Sequence, residues 1–250
     1  MRRSVAAATC LAATLLACAH APSGRDRRSA EIHHDLGVEA IRGGRPTEAL
    51  KELDEALRLD PDFAEAHRAR GLVLEFGFDK LDGAEAEFRR ALALKRDYPE
   101  ASNDLGQVLA RTGRWDEALR RFDDALQDMT YREPWVARCN KGQALWEMGR
   151  RVAGRAELQA CVASAPTYCA GHREFGRLLL GAGEVKDAIE ELSAYARICA
   201  TAPDAHYQLG LARMKDGDLP GARASFEQCL KLAGETAVGE ECRHARDLLQ

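Results

Sequence analysis

The sequence predicts an all-α fold, a right-handed α-solenoid of helical hairpins, from three observations. A glycine returns at one fixed place six times, at Gly37, Gly71, Gly106, Gly142, Gly176 and Gly210. A large apolar residue follows each at a second place: Leu53, Phe88, Phe122, Leu158, Leu192 and Phe226. Between them stand turn residues that end and reverse a helix, Gly43-Gly44, Gly113, Gly149, Gly183 and Gly217. One such hairpin cannot bury its apolar face alone, so the units must stack along one axis.

The first unit runs from Ala30 to Phe63, with Leu36 and Gly37 at places seven and eight, Ala49 at twenty, Leu53 at 24, Ala56 at 27 and Pro61 at 32. This order resembles the 34-residue tetratricopeptide repeat. The eighth-place glycine lets two helix backbones approach closely, and the residue at place 24 fills the gap between the paired helices. Five more units follow this one, over 64–98, 99–132, 135–168, 169–202 and 203–234, so six repeats occupy 30–234. The second carries one extra residue around Gly77 to Gly83. Glu133 and Pro134 are inserted before the fourth, where the proline stops the preceding helix and the register break marks a bend.

A capping helix within 235–250 presents Val238, Cys242, Ala245, Leu248 and Leu249 to the open end of the sixth unit. No comparable cap precedes the first unit, which either tolerates exposure or is covered by a partner or a membrane. Lys141 stands where the repeat normally has leucine, so its stem must lie along the helix pair while its amine reaches water or a carboxylate.

Charged residues make up 30% of the chain and hydrophobic ones 46%, a balance suited to amphipathic helices with solvated outer faces. The net charge is −4 and no helix carries a basic stripe, so nucleic acid is not an expected partner. Residues 1–17 read as an export signal: Arg2 and Arg3, then an apolar run from Val5 to Leu16 that is too short to span a bilayer. Leu15-Leu16-Ala17-Cys18 resembles the lipobox of bacterial lipoproteins, which implies a lipid on Cys18; an ordinary cut near Ala17 or Ala21 is the alternative. Ala19 stands where an aspartate would signal inner-membrane retention, so the resemblance implies the periplasmic face of the outer membrane. Residues 18–29 form a lipidated terminus and flexible tether of roughly 35 Å at most.

No catalytic constellation is present: no G-x-S-x-G, no phosphate-cradling glycine loop and no H-E-x-x-H. No enzyme, small-molecule substrate, metal or cofactor beyond the covalent lipid is expected. His33, His34 and Asp35 point in different directions on a helix and make a poor metal trio. Six cysteines follow Cys10 and Cys18. In an oxidising compartment, Cys229 with Cys242 would tie down the capping helix and Cys169 with Cys199 would join the ends of one hairpin. Cys139 and Cys161 are left to pair or stay free, while Cys161 and Cys229 also suit the alanine of place 27 as small buried groups.

The first helices of the units line a concave surface through places 2, 5, 9, 12 and 13. Its apolar members, Leu72, Phe76, Trp146, Leu180, Tyr207, Leu211 and Met214, are not required by packing within a unit and are candidates for burial by a partner. Arg42, Arg111, Arg173 and Arg177 are candidate orienting charges, with His34 and Gln107 beside them. Trp115, at place 17, packs inside its hairpin. The carboxylate clamp that grips chaperone C-termini is excluded, because its places hold His34, Val38, Glu100 and Asp104.

Gly113-Arg114-Trp115-Asp116-Glu117-Ala118, then Asp128-Met129-Thr130-Tyr131-Arg132-Glu133-Pro134 and Asn140-Lys141-Gly142, resemble the outer-membrane pilotins of type IV pilus secretins, the PilF, PilW and Tgl family. The resemblance implies a lipoprotein that binds secretin subunits and promotes their localisation and oligomerisation, and so supports twitching or gliding motility. The alternative is a general cell-envelope scaffold, for example for peptidoglycan enzymes.

Overall fold

A computed structural model describes residues 22–249, which contain thirteen α-helices and no strand. Each repeat supplies an antiparallel pair: α1 (Gly24–Arg42) with α2 (Pro46–Leu59), α3 (Ala64–Leu72) with α4 (Leu81–Leu94), and α5 (Pro99–Arg111) with α6 (Trp115–Gln127). Then come α7 (Pro134–Glu147) with α8 (Arg151–Ser164), α9 (Cys169–Gly181) with α10 (Val185–Ile198), and α11 (Pro203–Asp216) with α12 (Leu219–Ala233). A thirteenth helix, α13 (Ala237–Asp247), packs on α12 and α11. Apolar side chains form small clusters strung along the stack, as a one-dimensional array requires.

Helix starts and reversals follow local chemistry. Pro46, Pro99, Pro134 and Pro203 occupy the first turns of their helices, where a missing N–H costs nothing. Pro134 therefore opens α7; it does not stop α6, which already ends at Gln127. Inside five hairpins the reversing residue is a left-handed glycine, with φ from +66° at Gly44 to +84° at Gly183 and Gly217. In the second hairpin Asp79 takes that place at φ +52°. The extra residue of that repeat is absorbed just before it, where α3 widens into a π-helix over Val73–Gly77.

Each eighth-place glycine is dictated by the side chain at place 24. A Cβ on Gly37 would lie 2.8 Å from Leu53 Cγ, and one on Gly106 2.6 Å from Phe122 Cε1. Leu53, Phe88, Phe122, Leu158, Leu192 and Phe226 are all fully buried. The fourth hairpin is tighter still, because Gly154 replaces the alanine of place twenty. A Cβ there would lie 2.8 Å from Gly142 O and 2.9 Å from Trp146 N, both backbone atoms that cannot swing aside.

Three disulfides join elements that are already neighbours: Cys139–Cys161 between α7 and α8, Cys169–Cys199 across the α9–α10 hairpin, and Cys229–Cys242 between α12 and α13. Their Cα separations of 5.4, 6.2 and 6.2 Å suit the bond. Cys161 and Cys229 are thus both the buried residues of place 27 and disulfide partners. Lys141 Nζ reaches Asp123 at 2.8 Å and Glu157 at 2.9 Å, so its amine ends on carboxylates of the helices either side.

Two expectations fail at the ends. Residues 24–29 are not a tether but the first turns of α1, held by a capping box in which Ser23 Oγ accepts from Asp26 N and Asp26 Oδ2 accepts from Ser23 N. Leu248 is 65% exposed and does not help close the far end; Cys242 and Ala245 are buried there. The export signal and Cys10, Cys18 and Ala19 lie outside the described residues.

Histidines at place four brace several hairpins. His33, His67 and His172 each set Nδ1 2.7 Å from a glutamate of the second helix, Glu52, Glu87 and Glu191 respectively. His172 is buried, and its Nε2 also lies 3.2 Å from Pro166 O, so both nitrogens face acceptors. The bond to Glu191 raises its pKa above the ordinary value, against a smaller opposing effect of burial.

Three outcomes are expected. Gly154→Ala should lower the unfolding free energy by about 2 kcal/mol through overpacking, measured by urea denaturation; an unchanged midpoint would mean the α7–α8 contact is loose. A pKa raised on folding stabilises fully below the unfolded value near about 6.5 and fades as pH rises through the folded one. His172→Gln should therefore cost about 2 kcal/mol at a pH below the unfolded value and progressively less as pH rises through the raised folded one, and equal losses across that range would remove the charged pair. Mass spectrometry of unreduced peptides should recover the three named cysteine pairs and no others among these six residues.

Candidate protein-binding surface

Three consecutive first helices, α5, α7 and α9, enclose a cavity of about 660 Å³ at the middle of the stack. Amides line its floor: Gln107 from α5, and Asn140 and Gln143 from α7. Charged groups of both signs stand around them, with Arg111 and Glu147 on one side and Arg173 and Glu174 on the other, and Trp115 and Tyr168 add aromatic wall. Such a mixture of apolar wall and paired donors and acceptors can hold a polypeptide segment; it offers no nucleophile paired with a base.

The floor is fixed by a hydrogen-bonded chain across three repeats. Arg68 Nε on α3 donates to Asp104 Oδ2 on α5 at 2.6 Å, Asn103 Nδ2 donates to Asp104 Oδ1 at 3.4 Å, and Asn140 Nδ2 on α7 donates to Asn103 Oδ1 at 2.9 Å. Asn103 and Asp104 are buried. Burial raises the Asp104 carboxyl above the ordinary range, opposed by Arg68. Arg68 also stacks 5.8 Å from the Tyr98 ring, whose hydroxyl burial pushes up to about 12. Removing one member of such a buried network strands the others, so the network holds the spacing of the repeats.

A second feature flanks the cavity at the π-helix. Glu75 is buried there, one oxygen 3.1 Å from Arg111 Nη1 and the other without a hydrogen-bond partner. Burial raises its pKa, opposed by Arg111. Arg111 also donates to Asp79 at 2.6 Å, which ties the left-handed turn to the next repeat. The same widened turn leaves Phe76 64% and Phe78 37% exposed, two aromatic rings separated only by Gly77.

The residues expected to line the concave face divide accordingly. Gln107, Arg111 and Arg173 line the cavity; Phe76 does not, and is exposed on the π-helix whose Glu75 contacts Arg111. Trp146 does not await a partner: it is 7% exposed and packs with Phe175, Leu178 and Leu179 of the next repeat, because a ring of that length bridges the repeats. Leu72 and Leu180 are half-buried against core clusters. Tyr207, Leu211 and Met214 pack on Phe226 and Ala245, so the end of the array uses them to seat α13. His34 stacks 5.1 Å from Phe63, Arg177 is bound to Glu174 at 3.0 Å, and Arg42 is exposed in the last turn of α1. The reading of the concave face gave no partner-binding role to Asn140, Asp104, Glu75 or Phe78, although a polar residue or a pair of aromatics beside a register break marks a place that simple repeat packing does not explain.

Among the described residues no three His, Cys, Asp or Glu side chains are grouped to hold a metal ion, and no helix is long and apolar enough to cross a membrane. His33 turns to Glu52, whereas His34 lies against Phe63 and its Nδ1 is 3.1 Å from Asp35 Oδ1, a contact between two residues expected to point apart.

Comparison with known proteins places this geometry. Tetratricopeptide repeat models match residues 34–99 and 139–203, and further models of the same description match 76–130 and 203–235. The chain is homologous to the type IV pilus assembly protein PilF of Pseudomonas aeruginosa, with 33% identity over 111 residues, 44% of this chain and 43% of PilF. It is 24% identical to DnaJ homolog subfamily C member 3 of Mus musculus over 215 residues, 81% of this chain and 42% of that protein. It thus spans about two fifths of the length of these curated relatives. The crystal structure of PilW, described as a widely conserved type IV pilus biogenesis factor, superposes with a TM-score of 0.74 at 26% identity, over 85% of this chain and 97% of PilW. The helical hairpins, their glycine contacts and these matches agree, and the chain belongs to the tetratricopeptide repeat family.

Proposed function

We propose that this chain acts in type IV pilus biogenesis as a lipoprotein, acylated at Cys18 and held at the periplasmic face of the outer membrane, that binds secretin subunits and promotes their oligomerisation. The observation that carries the reading is the likeness to PilW, which extends over 97% of that structure and therefore includes the concave surface as well as the repeat scaffold. Similarity to PilF supports the same biological role.

The docking surface narrows to the central cavity and its approach. Trp146, Tyr207, Leu211 and Met214 are committed to packing, and Arg173 and Arg177 are engaged by Glu174. The open contacts are the exposed Phe76 and Phe78 and the amides Gln107 and Gln143 on the cavity floor. Aromatic rings beside a polar floor provide anchor and register for a bound segment, and lipid tethering raises the local concentration of both partners. Chemistry on the partner is not required.

Deleting the gene should abolish heat-resistant secretin multimers and pilus-dependent motility. Phe76→Ser combined with Gln143→Ala should weaken secretin capture from detergent extracts about tenfold or more while leaving the melting temperature within a few degrees. Intact multimers in the deletion strain, or recovery of peptidoglycan hydrolases in place of secretin, would overturn the reading.

A further inference from the structure

We propose that the open end of the solenoid, the face of α1 formed by Arg25, Arg28, Ile32 and Leu36, rests on the surface of an anionic lipid bilayer.

The two ends of the array are treated differently. At the far end α13 covers the last repeat. At the near end nothing among the described residues covers α1, and Ile32 and Leu36 are 61% and 46% exposed. These are places three and seven of the repeat, which the preceding hairpin buries elsewhere: Ala66, Ala101, Ala137 and Ala205 at place three are 0% exposed, and Leu105, Phe175 and Leu209 at place seven are 0%, 2% and 6% exposed. A first repeat facing water would be expected to carry polar residues here. This one carries a side chain at place three that is larger and more apolar than the alanines of its counterparts.

The charge beside this apolar pair decides what covers it. Arg25, Arg27 and Arg28 are exposed, and none has an acidic partner among the described residues; residues 1–21 contain no aspartate or glutamate. Asp26, the acid among them, is occupied in the Ser23 capping box. Arginines in the first turns oppose the helix dipole, so helix stability does not account for them. With 100° between successive residues, Arg25, Arg28, Ile32 and Leu36 share one side of α1. Of the exposed acids Glu31, Asp35 and Glu39, Glu39 shares this side of the helix beyond Leu36, and all three follow the arginines in the chain, so positive charge is concentrated at the end nearest Cys18.

Cationic side chains over a pair of apolar ones match anionic headgroups above acyl chains. This placement rests on the lipid anchoring proposed above: Cys18 precedes Arg25 by a segment spanning at most about 25 Å, so an anchored chain keeps this face at the membrane.

The test uses the full mature chain carrying Cys18→Ser, which cannot be acylated, and vesicles of phosphatidylethanolamine with phosphatidylglycerol, compared with phosphatidylcholine alone. Co-sedimentation is expected with the anionic vesicles only, weakening with added salt. Arg25→Glu with Arg28→Glu, and separately Ile32→Ser with Leu36→Ser, should each reduce the bound fraction about tenfold with helical content and melting temperature retained. Absence of binding to anionic vesicles, unchanged binding of both double variants, or a dimer in solution that Ile32→Ser with Leu36→Ser dissolves would overturn the proposal, the last by showing that a second copy covers the face. Anchoring is judged separately from the mass of the amino-terminal peptide of the wild-type chain: an unacylated terminus removes the anchor, whereas the vesicle result decides the surface.

Discussion

Every hairpin in this molecule depends on one contact, in which the place-24 side chain of the second helix lies against the bare backbone of the eighth-place glycine on the first. Six large apolar groups are fully buried this way, and in each case a methyl group on the glycine would overlap the side chain it faces. The contact sets how closely two helices approach, and that distance sets where the next hairpin can stack. Because each repeat touches mainly its neighbours, the same local geometry applied repeatedly produces the concave surface without any residue specifying it globally.

Superimposed on this apolar scaffold are two reinforcements of different kinds. In the middle, Arg68, Asp104, Asn103 and Asn140 form a polar chain along the floor from α3 to α7. Toward the carboxyl end, the disulfides hold α7 to α8, α9 to α10 and α12 to α13. A crosslink acts chiefly on the unfolded chain and leaves the groove's chemistry alone, whereas buried polar groups constrain the native geometry itself. The cavity lies where these regimes meet: Cys139, one of its lining residues, is bonded to Cys161, and Asn140 beside it ends the polar chain.

The fold was legible because it rests on residues whose type admits few readings. A glycine under a phenylalanine or leucine, recurring at one phase, allows little else, and register alone laid the Lys141 stem along the helix pair with its amine reaching water or a carboxylate, of which the structure shows two carboxylates. Two of the three cysteine pairs followed from the same register, whereas Cys139 and Cys161 were left open to pair or stay free and are joined only by the structure. The concave site was less legible, for reasons of reach. Register tells which side of a helix a residue occupies but not how far its side chain extends, so Trp146 and Tyr207 were read as open when both lie against neighbouring hairpins or the cap. The first turns of α1 were missed for a different reason: Ser23-Gly24-Arg25-Asp26 holds the pattern of a capping box, but its arginines and glycine suggested a tether.

The second repeat shows what an irregularity can do in an otherwise uniform array. An extra residue could have been looped out in the turn; instead it widens α3 into a π-helix, which rotates the following side chains relative to the regular places. Glu75 is thereby buried against Arg111, Phe76 and Phe78 are left in solvent, and Asp79 assumes a left-handed conformation that every other hairpin assigns to glycine. The strain of a non-glycine residue there is offset by its ion pair with Arg111 from the next repeat, so the irregular turn is fastened to the helix that forms one wall of the cavity. A regular turn would present neither exposed ring nor this link. The departure from the repeat, more than the repeat itself, is therefore what distinguishes this concave face from that of a generic helical stack, and in the chain it lies toward the amino-terminal end, where Arg25, Arg27 and Arg28 are exposed.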